Sequence, residues 1–272
     1  MPELPEVETV CRGLRPKLAG QRIAQVTFHR PNLRFPLPKK LPSIAKGQRI
    51  KAVKRLSKYI LMNLENGGGI LLHLGMSGRL YFHDAKTYQR QKHDHVVITL
   101  ERGPLLVFND ARRFGVLDYI PPNKTHKLLT TIGMDPFDKK LTPQWLHGKA
   151  ARLKCDLKAF LMNQKIIAGL GNIYVSEALF RAGLWPKRKA NTLTIAECKK
   201  LIPAIRAVLD AAIKAGGSSL HDYVQADGEL GSFQNRFKVY DRDGSPCPSC
   251  RQAIVRFVQA GRSSYGCKTC QK

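Results

Sequence analysis

Cys247-Pro-Ser-Cys250 and Cys267-Lys-Thr-Cys270 are two Cys-x-x-Cys pairs separated by residues 251–266. Four thiolates at this spacing can surround one Zn²⁺ tetrahedrally, each pair giving two sulfurs from a tight turn while the intervening chain forms a hairpin. All four ligands are cysteine, so no position stays open for substrate and the ion would be structural, the alternative being two disulfides or unpaired thiols. A tail this short has no adequate apolar core, and the metal supplies its folding energy. The other terminus offers a second chemistry. Loss of Met1 would leave Pro2 as a secondary amine, a nucleophile that forms an iminium with an electrophilic carbon. α-Amino groups titrate near about 7.7 to 8.0, so part of the population is unprotonated at neutral pH. Glu3 stands beside it as a candidate acid, and Glu6, one helical turn on, as a positioning carboxylate. Taken alone, Pro-Glu-Leu-Pro-Glu reads first as a helix start, with proline early and acids facing the helix dipole.

Charge indicates the partner. Lysine and arginine number 46 against 20 acidic residues, a formal net charge of +26, in a chain of 272 residues. Self-repulsion on this scale is relieved by a polyanion, and nucleic acid is preferred over an anionic membrane. No apolar run approaches the roughly 18 to 20 residues of a membrane-spanning helix. The acidic N-terminus lacks the apolar stretch of a secretory signal. Cys11, Cys155 and Cys198 are scattered, and with the four-cysteine site they point to a reducing cytosol.

The elements that must position these groups fall into three parts. Val7, Val10, Leu14 and Leu18 recur at helical spacing, which predicts an amphipathic helix over 3–18. Short apolar runs follow at Ile23–Phe28, Tyr59–Met62, Ile70–Leu74, Val96–Leu100 and Leu105–Phe108, punctuated by Asn66-Gly-Gly-Gly69 and Arg102-Gly-Pro104. Strands so spaced predict an antiparallel sandwich or barrel. Periodicity lapses over 121–140, where a hinge is expected. Helix signals then take over: Thr142-Pro143 as cap and first residue, Leu157, Phe160 and Leu161 on one face, and Thr194-Ile-Ala-Glu197 as a capping box before a long apolar stripe ended by Gly216-Gly217. Ala168-Gly-Leu-Gly-Asn172 precedes another helix, and its backbone amides could approach a phosphate with Asn172 as cap and donor. An ordinary glycine turn explains the same residues.

Three segments together resemble the formamidopyrimidine-DNA glycosylase family: Met1-Pro-Glu-Leu-Pro-Glu-Val-Glu-Thr9, Gly169-Leu-Gly-Asn-Ile-Tyr-Val-Ser-Glu177 and the four-cysteine finger. His73-Leu-Gly-Met-Ser-Gly78, Lys92-His-Asp-His95 and Asp110-Ala-Arg-Arg-Phe-Gly115 fit the same pattern, in the family's order along essentially the whole chain. The resemblance implies an α+β multidomain fold. An N-terminal antiparallel β-sandwich with a flanking helix would cover 1–130. A helix–two-turn–helix domain with a lesion-capping loop at 217–235 would cover 131–236, and a zinc finger 237–272. It implies a bifunctional glycosylase and abasic-site lyase that excises oxidised purines, 8-oxoguanine and formamidopyrimidines, from duplex DNA and cleaves the strand by β,δ-elimination. The expected cofactor is one structural zinc ion. The protein is expected to be a monomer in the bacterial cytosol, without membrane association.

Roles transfer residue by residue. Pro2 would attack the sugar, Glu3 would protonate the ring oxygen and Glu6 would position amine or sugar. Lys58 would serve β-elimination, its alternative being a solvated strand lysine. His73, Asn172 and Arg262 match phosphate contacts, with Arg262 also assisting the second elimination. His93 matches a further DNA contact; paired with His95 it suggests metal, but no third ligand is near in sequence. Met76, Arg112 and Phe114 match residues that enter the duplex, Arg112 facing the orphan cytosine and the other two filling the vacated stack; as ordinary apolar residues Met76 and Phe114 would be core. Arg152 and Lys154 are candidate backbone contacts, because Leu153 lies where the family often has lysine. Asp241 stands where glycine is usual, which puts the local turn in question. Gly228 and Gly231 suit a movable lid. The related endonuclease VIII, specific for oxidised pyrimidines, and a non-catalytic zinc-finger DNA-binding protein are the competing readings.

Overall fold

The computed structural model describes residues 1–219 and 229–272. They form two compact units, one of Met1–Lys127 with Ala215–Gln234 and one of Leu128–Lys214 with Asn235–Lys272. The first unit runs α1 (Leu4–Leu18), β1 (Ile23–Phe28), α2 (Leu41–Ala45), β2 (Ile50–Leu56), β3 (Tyr59–Leu64), β4 (Gly69–His73), β5 (Arg79–His83), β6 (Asp94–Leu100), β7 (Leu105–Asn109) and β8 (Val116–Ile120). Two antiparallel four-stranded sheets result, ordered β1-β6-β7-β5 and β2-β3-β4-β8. Their inner faces share one apolar cluster with α1, in which Val7, Val10, Leu14 and Leu18 are all buried, as their spacing requires.

Three strands carry weak sequence signals. In β2, Ile50 and Val53 point inward but a register shift between Ile50 and Ala52 breaks the alternation. In β5 only Leu80 is buried, and β8 follows directly on the Arg-Arg-Phe-Gly turn. A second shift, between Asp94 and Val96, buries Asp94 and His95 in succession.

The second unit contains α3 (Pro143–Ala150), α4 (Leu157–Met162), α5 (Asn172–Ala182), α6 (Ile195–Lys214), β9 (Val255–Gln259) and β10 (Arg262–Gly266). Thr142 caps α3 by accepting from the Trp145 N–H at 3.2 Å. At α6 the capping box is reciprocal: Glu197 N–H donates to Thr194 Oγ1 at 3.2 Å and Thr194 N–H donates to Glu197 Oε2 at 2.8 Å. Leu201, Ile202, Ile205, Val208 and Leu209 form the buried stripe of α6. The β9–β10 hairpin closes through Ala260 (φ 47°) and Gly261 (φ 72°), the left-handed pair that a two-residue turn between twisted strands needs. None of the described helices is long and apolar enough to cross a membrane.

Candidate active site and nucleic-acid interface

The first unit gathers nine of the expected site residues. Pro2, Glu3 and Glu6 are buried at the N-terminus of α1 while Met1 is exposed. Glu3 occupies the cap position, and its backbone N–H donates to Glu6 Oε2 at 2.9 Å. The second oxygen of Glu6 accepts from the Ser218 N–H at 2.8 Å. One carboxylate therefore ties the proline corner to the root of the expected capping loop.

That root is closed on itself. Ser232 N–H donates to the Ala215 carbonyl at 2.9 Å, Phe233 N–H to that of Gly217 at 3.0 Å, and Gly231 N–H to Ser219 Oγ at 2.8 Å. A Cβ on Gly231 would lie 2.3 Å from the Gly217 carbonyl oxygen, so only glycine fits between these strands of chain. Gly228, the other expected lid glycine, lies with residues 220–228 outside the described residues.

Lys58 is buried rather than a solvated strand lysine. It follows Ser57, whose φ of 57° turns β2 into β3. The turn is held from α1: Glu8 Oε2 accepts from Arg55 Nε at 3.2 Å, and Arg55 Nη1 donates to the Ser57 carbonyl at 3.3 Å. Burial would raise the Glu8 carboxyl, but the guanidinium groups of Arg15, Arg12 and Arg55 keep it below its ordinary range.

His73 sits at the end of β4, its ring 4.9 Å from that of Tyr59. Desolvation, reinforced by the positive charges of Lys58 and Arg34, lowers its pKa to about 4. Gly75 N–H donates to His73 Nδ1 at 2.9 Å, so the neutral ring carries its proton on Nε2. His73 is thereby a neutral donor beside two cations, suited to a phosphate oxygen.

Met76 and Phe114 are exposed, not core, and the Arg112 guanidinium lies 5.1 Å from the Phe114 ring centre. Two large apolar side chains exposed to water, one of them against an arginine, are a costly surface unless something covers them. His93 is half-buried, its ring 6.2 Å from that of His95, whose Nε2 lies 2.9 Å from the Asp110 carbonyl. His95 is thus a structural residue, and among the described residues only the four cysteines form a group able to hold a metal.

In the second unit Asn172 is the first residue of α5, with Gly171 as its cap. Its side chain does not cap the helix, contrary to the sequence expectation, because its Nδ2 donates to the Ser263 carbonyl at 3.0 Å. Asn172 Oδ1 is buried without a hydrogen-bond partner among the described residues. The preceding glycine loop is set by Gln164, which accepts from Gly169 N–H at 2.9 Å and donates to the Leu170 carbonyl at 2.7 Å. Lys158, which sequence reasoning passed over, is buried, and its Nζ donates to the Ser263 carbonyl at 2.9 Å and to Ser264 Oγ at 2.6 Å. Its one signal in the sequence is a charge inside the apolar run Leu157–Met162. Asn172 and Lys158 together fix the residues that follow exposed Arg262.

Tyr240, also missed, lies 3.5 Å from Asn172 Nδ2 through its hydroxyl. Its backbone N–H and that of Val239 each donate to buried Glu177 at 2.9 Å. Arg152 and Lys154 lie in the turn after α3, and no hydrogen bond or ion pair among the described residues joins them to this cluster. Asp241 takes φ 56°, so the turn keeps the left-handed geometry that glycine would provide, and Tyr265 Oη donates to Asp241 Oδ1 at 3.3 Å.

The cysteine sulfurs lie within 4.8 Å of one another, with Cys247–Cys270 at 3.8 Å and Cys250–Cys267 at 3.4 Å. Four sulfurs at about 2.3 Å from one tetrahedral ion stand about 3.8 Å apart, so the cluster fits a metal ion with little adjustment.

A β-sandwich, a helical domain with a glycine loop at a helix N-terminus and a four-cysteine hairpin define the class of DNA repair glycosylases that carry a zinc finger. Residues 1–117 match the formamidopyrimidine-DNA glycosylase N-terminal domain, 132–224 the H2TH domain of the same enzymes and 244–272 the zinc finger found in FPG and IleRS. The chain belongs to the formamidopyrimidine-DNA glycosylase family. It is 50% identical to the formamidopyrimidine-DNA glycosylase of Paracoccus denitrificans and 49% identical to that of Cereibacter sphaeroides, each over the full length of both chains. The MutM (Fpg) crystal structure from Thermus thermophilus superposes with a TM-score of 0.88 at 40% identity, covering 99% of this chain and 98% of that one. A Lactococcus lactis FPG mutant in complex with Fapy-dG-containing DNA superposes at 0.92, with 31% identity and full coverage of both.

Proposed function

We infer that this protein is a bifunctional DNA glycosylase and abasic-site lyase for oxidised purines, 8-oxoguanine and formamidopyrimidines, in duplex DNA. The observation that carries the reading is the N-terminal corner: Pro2 followed by two buried carboxylates, in the same unit as buried Lys58 and neutral His73. Once Met1 is removed, the Pro2 nitrogen attacks sugar C1′ and the bond from C1′ to the base breaks, the base leaving with a proton. Glu3 delivers a proton to the ring oxygen as the ring opens, which yields an iminium between Pro2 and C1′. The iminium acidifies C2′. Loss of that proton expels the 3′ phosphate, with Lys58 beside the sugar, and a second elimination expels the 5′ phosphate with help from Arg262.

His73 and Asn172 hold backbone phosphates, His93, Arg152 and Lys154 add contacts along the strand, and Met76, Arg112 and Phe114 occupy the space left by the everted base. Zinc is the metal that four thiolates select at such a site. Its part is to fold the finger that carries Arg262. The protein acts as a monomer in the bacterial cytosol.

Borohydride reduces an iminium to a stable amine, so it tests the reaction directly. The mature protein is expected to cross-link to duplexes containing 8-oxoguanine, and a variant with one residue added ahead of Pro2 is expected to lose the adduct because its nitrogen becomes an amide. An extended protein that still traps would remove Pro2 from the mechanism. No trapping by the mature protein would leave a DNA-binding protein without this chemistry. Faster excision of oxidised pyrimidines would reassign the lesion class.

A further inference from the structure

Asp110 is completely buried inside a loop whose neighbours are exposed. Its Oδ1 accepts from the Ser77 hydroxyl at 2.6 Å and its Oδ2 from the Gly115 N–H at 2.7 Å. Ser77 Oγ in turn accepts from the Arg112 N–H at 3.0 Å. The Asp110 backbone completes the set: its N–H donates to the His93 carbonyl at 3.0 Å, and its own carbonyl lies 2.9 Å from His95 Nε2. Three loops thus meet on one residue: 74–78 with Met76, 110–115 with Arg112 and Phe114, and the end of the β5–β6 connection with His93.

The contact between the first two loops is also steric. Gly75 has φ +65°, and a Cβ there would lie 2.4 Å from the Phe114 carbonyl carbon. Backbone touches backbone at that point, so the loops hold one relative position. Short hydrogen bonds to a fully buried side chain, away from competing water, are strong ones. The backbone that carries Met76, Arg112 and Phe114 is thereby fixed before any ligand arrives.

We propose that Asp110 and Ser77 are positioning residues that clamp Met76, Arg112 and Phe114 into one pre-assembled wedge, so that the three side chains enter a duplex as a unit. The clamp rests on the reading of those three as void-filling residues. Neither Asp110 nor Ser77 touches the reacting atoms. Asn at position 110 offers only one acceptor oxygen where the loops require two, and Ala at position 77 removes both the donor to Asp110 and the acceptor for Arg112 N–H.

The test compares Ser77→Ala, Asp110→Asn, the double variant and Met76→Ala in the full-length metal-loaded protein. Single-turnover excision is measured on a lesion duplex carrying a fluorescent base analogue beside the lesion, which reports unstacking when side chains enter. Borohydride trapping on a single-stranded abasic oligonucleotide, which presents no stack to fill, reads the chemistry alone. Hydrogen exchange at the Arg112 and Gly115 amides reads the clamp without DNA. Each single variant is expected to slow unstacking and duplex excision by about 10- to 100-fold, the range for one hydrogen bond to a charged group. Both amides should exchange faster, and single-stranded trapping should stay near wild type. Because the Ser77–Asp110 bond is lost in both single variants, the double variant should lose less than the product of the two single losses. Wild-type unstacking in Ser77→Ala, additive losses in the double variant, or an equal loss of single-stranded trapping would each overturn the clamp. A Met76→Ala protein with a wild-type fluorescence change would instead overturn the void-filling reading, and the clamp's purpose with it.

Discussion

In the β-sandwich, Met76, Arg112 and Phe114 stand on loops tied to a buried carboxylate, above an apolar cluster that runs from Val7 to Leu117. In the finger, Arg262 stands on a hairpin whose own buried cluster is Val239, Cys247, Ile254, Tyr265 and Cys267, two of them members of the metal-binding set. Both regions present exposed side chains of the expected site on short turns. The first is rigid because its scaffold buries enough apolar surface to fold, and polar contacts only refine the loops. The second is too small for that: it has a four-cysteine site that would hold a metal, and Lys158 and Asn172 beside it. The sandwich should therefore lose function by degrees, and the finger all at once.

Removing the metal is the largest expected effect. Cys250→Ser, or chelation of the wild-type protein, should unfold the hairpin and weaken binding to lesion duplexes by more than about 100-fold, while the main thermal transition survives. Metal analysis, a binding titration and a melting curve measure all three. A metal-free protein that still binds DNA tightly would show that the hairpin folds on its own and would erase the contrast.

Arg112→Ala should damage the sandwich side in a graded way. The orphan cytosine presents N3 and O2 as acceptors, and a guanidinium can donate to both, whereas adenine offers no equivalent pair. Such bidentate contacts are worth about 1 to 3 kcal/mol, so the preference for cytosine over adenine opposite the lesion should shrink by roughly 5- to 150-fold. The ratio of the two excision rates is the quantity to follow, because overall activity falls too. An unchanged ratio would pass the reading role to Arg113, whose φ of 59° sets it apart in the same loop.

Lys158→Met tests how far the finger depends on its neighbour. The ammonium holds the Ser263 carbonyl and Ser264 Oγ, so its loss leaves two buried acceptors without their charged donor. Affinity for DNA is expected to drop roughly 5- to 100-fold through misplacement of Arg262, the worth of about 1 to 3 kcal/mol, with metal content unchanged. If affinity holds while metal is retained, the metal alone orients the hairpin.

What could be read in the sequence follows the same division. The cysteine spacing, the stripe of α1 and the Thr194–Glu197 box are local patterns, and each forms as its spacing requires. Strand β5 could not be read, because its inward face has one buried residue, Leu80, and its identity comes from pairing with β7. Lys158 and Tyr240 were invisible for a related reason: the partners that give them a role lie 105 residues and 68 residues away in the chain. Asp110 was legible as part of a motif, yet nothing in the motif says that its neighbours are exposed while its own carboxylate points inward. Motifs identify the residues that meet a ligand; the contacts behind them are three-dimensional.

Asp241 gives the smallest effect and the finest test of the finger's base. Its left-handed φ of 56° costs an ordinary side chain about 1 to 2 kcal/mol, and less for aspartate, which visits this region routinely. Asp241→Gly removes that strain but also deletes the acceptor of the Tyr265 hydroxyl and loosens the unfolded chain, and each loss costs about 0.5 to 1 kcal/mol. The three contributions nearly cancel, so Asp241→Gly should lie within about 1 kcal/mol of wild type. Asp241→Ala loses the acceptor and keeps the strain but avoids glycine's cost in the unfolded chain, so it should fall below Asp241→Gly by up to about 1.5 kcal/mol. Denaturant titrations that resolve the finger, read through Tyr265 and metal release, give the order. Alanine more stable than glycine would mean that the left-handed turn carries little strain, and that aspartate is held at this position by its bond to Tyr265 alone.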